Sequence, residues 1–75
     1  MKVKIGDFLK KTYRDTYRIY KIIDISEARG VVGMVIVSNY KTMFQVGTEV
    51  SHIKMNDYFN YCEILTRDEI IMELL

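Results

Sequence analysis

The sequence predicts an α+β domain: a small curled antiparallel β-sheet of four to five strands, a short N-terminal helix and a short, well-capped C-terminal helix. Three observations carry this. Tyr17–Ile25 alternates in period two with Ile and Tyr, the pattern of a strand. Val31–Val37 is apolar on both alternating faces, as expected of a strand with cover on both sides. Leu65-Thr66-Arg67-Asp68-Glu69-Ile70 spells a capping box with its hydrophobic staple.

In the first strand, Tyr17, Ile19, Ile23 and Ile25 share one face with Lys21, and Arg18, Tyr20, Ile22 and Asp24 share the other. The polar Ser26–Gly30 segment follows. Its closing Gly suits a positive φ in a hairpin loop of three to five residues. In the second strand Val31, Gly33, Val35 and Val37 oppose Val32, Met34 and Ile36. Gly33 inside a strand marks a bulge, a bend or a close backbone approach, and that bend lets a small sheet curl into an SH3-like or partly open barrel.

Before the hairpin, Val3 and Ile5 alternate with lysines and suggest a short edge strand over 2–5. Asp7 has the chemistry of an N-cap, and Phe8/Thr12 and Leu9/Tyr13 stand four apart, so a helix over Asp7–Thr12 is expected, with a turn at Tyr13–Asp15. The same spacing runs on to Tyr20 and competes with the strand over 16–20. The β-branched and aromatic density after Thr16 favours the strand. After the hairpin, Met43–Val46, Glu49–Lys54 and Tyr58–Leu65 read as weaker strands, and Met55–Asp57 as a turn. Thr66 then caps a helix of about two turns whose Ile70, Ile71, Leu74 and Leu75 form an apolar stripe. So short a helix is unstable alone, and the stripe is expected to dock on the hairpin.

The 75 residues form one domain whose thin core buries only about 60% of the unfolded surface. Dimerisation would supplement it, and the doubly apolar 31–37 strand is the expected surface. Apolar residues make up 49% and charged ones 28%, a globular balance. No apolar run is long enough to span a membrane, and MKVKIGDF lacks the apolar region of a signal peptide, so the expected location is cytoplasmic. Cys62 is the single cysteine, which excludes an internal disulfide. With His52 it offers too few soft ligands for a metal site, and no cofactor is expected.

No phosphate loop, dinucleotide fingerprint or zinc-protease motif occurs. Ser51, His52 and Asp57 lack the placement of a nucleophile with its base and orienter, so an enzyme is not expected. Charge is uneven: residues 1–21 carry seven cations against two anions, and residues 57–75 five anions against one cation, around a net charge of +1. Lys10, Lys11, Tyr13, Arg14, Tyr17 and Arg18 interleave aromatic and basic groups and are the candidate binding residues. Such a set can stack bases while neutralising phosphates, or capture a small nucleotide, although the near-neutral total is unlike a dedicated nucleic-acid binder. The plainer alternative is tyrosines packed in a thin core with wet hydroxyls, beside a solvated charged face.

The N-terminal MKVKIGDFLKKT and DTYRIYKIID, with the closing YCEILTRDEI, resemble short orphan accessory proteins of phages and prophages of Gram-positive bacteria. That resemblance covers about half the chain and brings no site residues. It implies a binding protein that engages and inhibits a host protein such as a defence component, or sequesters a small signal, in the host cytoplasm; the thin core and the 31–37 strand make a homo-oligomer the expected form. Nucleic acid or a small nucleotide are the alternative partners.

Overall fold

The computed structural model describes residues 3–52 and 62–75. Among the described residues, five strands and one helix follow in order: β1 (Phe8–Tyr13), β2 (Thr16–Ser26), β3 (Gly30–Ser38), β4 (Glu49–His52), β5 (Glu63–Ile64) and α1 (Arg67–Leu74). They form one antiparallel sheet in the order β4-β3-β2-β1-β5. Four consecutive strands meander, and the fifth returns beside the first.

The hairpin β2–β3 is the centre of this sheet, as its pattern requires. Gly30 closes the connection at φ +70, and Ser26 pairs with Gly30. The register shifts between Ile19 and Tyr20 and again between Ile22 and Asp24, the irregularities by which antiparallel strands bend and twist. Gly33 lies opposite Ile22. A Cβ added there would stand 3.1 Å from Tyr20 Cβ and 3.2 Å from its Cδ1, so the glycine permits a close approach by the Tyr20 side chain.

Both faces of the sheet are covered. Leu9, Tyr20, Ile22, Val35 and Cys62 form one buried cluster, with Val3, Val31, Phe44 and Val50 against it. Ile19, Leu65 and Ile70 form the other, with Phe8, Tyr17, Ile36 and Val37. The helix α1 therefore covers the second face. Thr66 caps it: the Glu69 amide donates to Thr66 Oγ1 at 3.2 Å and the Thr66 amide donates to Glu69 Oε1 at 3.0 Å. Leu65 and Ile70, the staple pair, are both buried in the same cluster.

Four expectations are corrected. Phe8–Tyr13 is a strand and not a helix. A helix of one or two turns has little stability of its own, whereas these residues gain ladder partners on both sides, from Leu9 opposite Tyr20 and Leu9 opposite Ile64. Asp7 does cap, but caps a turn: its carboxylate accepts from the Lys4 amide at 2.8 Å, and its own amide donates to the Lys4 carbonyl at 3.0 Å. Residues 3–5 run into that turn and form no strand, and Met43–Val46 are irregular. The helix stripe docks by Ile70 alone; Ile71 is 46% exposed, Leu74 59% and Leu75 95%. Strand readings for 53–54 and 58–61, the Met55–Asp57 turn, and Asp57 itself lie outside the described residues.

Candidate functional site

The β1–β2 connection is two residues long, since Tyr13 pairs with Thr16. So tight a hairpin needs a left-handed first residue, ordinarily Gly, Asn or Asp. Here Arg14 takes that position, at φ +56. Its guanidinium carbon lies 5.4 Å from the Tyr13 ring centroid, and Tyr13 is 58% exposed. An arginine and an aromatic ring are thus presented together at the point of the hairpin.

That tip is held from behind. Thr16 Oγ1 donates to the Tyr13 carbonyl at 2.6 Å. Asn39, where the chain leaves β3, accepts from the Tyr17 amide at 2.7 Å through Oδ1 and donates to the Asp15 carbonyl at 2.9 Å through Nδ2. One side chain thereby ties the hairpin to the segment between β3 and β4.

That segment folds over the sheet onto Arg18. The guanidinium donates through Nη1 to the Tyr40 hydroxyl at 2.6 Å and through Nε to the Tyr20 hydroxyl. Its carbon lies 3.8 Å from the Phe44 ring centroid and 5.2 Å from that of Tyr40. Tyr40 and Phe44 meet edge to face at 5.1 Å, and Phe44 reaches its place with φ +52. Arg18 is 5% exposed, a buried cation bonded by hydroxyls and stacked on an aromatic face, an arrangement suited to guanidinium. Burial pushes the Tyr20 hydroxyl above its ordinary pKa, against the pull of the Arg18 hydrogen bond, so it stays protonated at neutral pH. Burial likewise pushes the Cys62 thiol up, against the opposing charges of Lys11 and Arg18. A thiol so shifted is a poor nucleophile.

The six candidate residues are divided by the pleat. Lys11 stands opposite Arg18 and Lys10 opposite Ile19, so consecutive lysines point to opposite faces. Lys11 and Arg18 lie on the face covered by Tyr40 and Phe44, with Tyr13 and Arg14 at the adjoining tip. Lys10 and Tyr17 lie under α1. The Lys10 ammonium donates to Glu73 Oε1 at 2.8 Å and sits 4.9 Å from the Tyr17 ring centroid. The hydrogen bond to Glu73 raises the Lys10 pKa, with burial opposing. These two residues hold the helix to the sheet.

Sequence reasoning missed Asn39, Tyr40 and Phe44. The available signal was two aromatic residues four apart in a polar connection, where no regular element accounted for them. Among the described residues no group of three or more His, Cys, Asp or Glu could hold a metal, and no helix is long and apolar enough to cross a membrane. No protein-family model, curated protein or solved structure matches the chain.

Proposed function

We propose that the protein is a non-enzymatic binding module that recognises an acidic surface of another protein with the β1–β2 hairpin tip. The observation that carries this reading is the exposed Tyr13 ring beside the Arg14 guanidinium on a turn clamped by Asn39. Tyr and Arg supply a disproportionate share of interface hot spots, and a tip already ordered in the free protein loses little entropy on binding. Lys11 adds positive charge along β1. A left-handed arginine at a position suited to glycine supports selection for the side chain.

The strand order, with β5 returning beside β1, supports an SH3-like, partly open barrel as the scaffold that displays the tip. Following the resemblance to small accessory proteins of phages and prophages, the partner is a host protein, a defence component that the module inhibits in the host cytoplasm.

The test is capture from lysate of a Gram-positive host, followed by titration of the purified partner. Arg14→Gly is the informative variant: it relieves the left-handed arginine, so the fold is retained or stabilised, while removing the recognised group. An affinity loss of about tenfold or more is expected, and Tyr13→Ala should lose a similar amount. Partner binding unchanged by both substitutions overturns this reading. An exposed ring paired with a cation also favours single-stranded nucleic acid as a second reading. Binding of labelled DNA or RNA that weakens steeply with salt and is lost in Arg14→Gly would put it first.

A further inference from the structure

We infer that the recognition surface runs from the β1–β2 tip onto residues 41–43, and that it takes an acidic stretch of a partner protein with an apolar side chain at its centre. The surface includes the tip and so rests on the reading above; residues 41–43 are the part that goes beyond it. Among the described residues, Arg14 and Phe44 are the two non-glycine residues with positive φ. Such backbones persist only where the surroundings hold them, and they gather at functional sites. Here both stand at one corner of the sheet. The Phe44 ring centroid lies 3.8 Å from the Arg18 guanidinium carbon, and Arg18 lies opposite Lys11 in the strand pair that turns at Arg14. Asn39, just before Tyr40, bonds both Asp15 and Tyr17.

Tyr40 and Phe44 are the fixed ends of the segment. They meet edge to face at 5.1 Å, and Gln45 Nε2 donates to the Tyr40 carbonyl at 3.1 Å. Lys41, Thr42 and Met43 therefore arch out of the Arg18 clamp, and all three are exposed, Met43 by 55%. The bond from Asn39 to Asp15 sets the arch beside Tyr13 and Arg14. Tyr, Arg and Met are enriched at protein interfaces, and an unbranched thioether adapts to apolar groups of several shapes. Met43 and the Tyr13 ring supply the contact for the apolar side chain, and charge selects what flanks it. Residues 11–18 and 39–48 carry Lys11, Arg14, Arg18 and Lys41 against Asp15 alone. Arg18 is buried, whereas Arg14 and Lys41 are exposed and Lys11 is half-buried, so these two segments present a net positive charge. An acidic stretch complements it and is steered onto it, and a basic one is repelled.

A displayed random-peptide library selected on the full chain tests it. Enriched peptides should join Asp or Glu to Leu, Ile or Phe, and a synthetic copy of the most enriched one is then titrated. Lys41→Glu combined with Met43→Ser, at exposed positions, should weaken that peptide about tenfold or more with unchanged far-UV circular dichroism. Arg14→Gly should weaken it as well. Arg29→Ala, in the β2–β3 turn at the other end of the sheet, should not, and an equal loss there overturns the assignment to this corner. A peptide lost in Arg14→Gly but indifferent to the double substitution overturns the extended surface and leaves the tip reading standing. A peptide that responds to the double substitution but not to Arg14→Gly overturns the tip reading and with it the continuous surface, and indifference to all of them overturns both. Enrichment of basic peptides, or of no acidic ones, overturns the inference, as does a labelled single-stranded oligonucleotide that binds the same residues more tightly than the peptide.

Discussion

Arg18 shows how one residue can tie distant parts of a small chain together. Its guanidinium gathers Tyr20 from its own strand and Tyr40 and Phe44 from the segment after β3. The planar fork matters as much as the charge, because a lysine at this position presents no flat face to Phe44 and cannot hold two fixed hydroxyls in the same geometry. Arg18→Lys is therefore expected to destabilise the fold by about 1–3 kcal/mol, through lost stacking and imperfectly bonded buried hydroxyls. Urea denaturation of the two proteins measures this. Stability within experimental error of the wild type would mean that the stacked arrangement contributes nothing.

At the scale of elements, α1 is the clearest case of a local code realised in three dimensions. Thr66→Ala removes the acceptor of the Glu69 amide and should cost about 1 kcal/mol, seen as a lower urea midpoint with an unchanged slope. Glu69 adds a pH signature. Hydrogen bonds to the Thr66 amide and hydroxyl hold its carboxyl below the ordinary value of 4.5. Its folded pKa is depressed, so its contribution is complete above the unfolded value and is lost as pH falls through the folded one. Acidification below about pH 4.5 should weaken the cap, and Glu69→Gln should remove that part of the acid sensitivity. An acid limb identical in Glu69→Gln would show that the carboxylate plays no part. β1 teaches the opposite lesson. Its helical spacing and its strand-forming residues were both present locally, and the ladders with β2 and β5 decided between them.

For the molecule as a whole, two thin clusters share the central strand β2: Tyr20 and Ile22 belong to one and Ile19 to the other. Neither side has a core that could stand alone. The fold should therefore melt as a unit, as small single domains usually do. Ile70→Ala opens the helix-side cluster and should cost about 2–4 kcal/mol, a large share of the roughly 4–11 kcal/mol expected for 75 residues. Tyrosine fluorescence, which reports the Tyr20 side as well, should shift together with far-UV circular dichroism. Separated midpoints would show that the two faces unfold independently.

The sequence by itself determined the β2–β3 hairpin, the positive φ at Gly30 and the capped helix. Each follows from chemistry confined to neighbouring residues: side-chain period, backbone freedom at glycine, and reciprocal hydrogen bonds over three positions. At Gly33 the sequence left a bulge, a bend and a close approach open, and the packing of Tyr20 decided. Tertiary structure alone decided that Phe8–Tyr13 would be a strand, because its ladder partners come from Thr16–Lys21 and from Glu63–Ile64, the latter some fifty residues away. It also decided how the basic, tyrosine-rich segment is used. The pleat sends Lys10 and Tyr17 beneath α1 and Lys11 and Arg18 to the other face, leaving Tyr13 and Arg14 exposed at the turn. A run of candidate residues in sequence thus becomes a structural pair, a buried aromatic clamp and a small exposed tip, since alternation separates neighbours and only the packing on each face assigns them their roles.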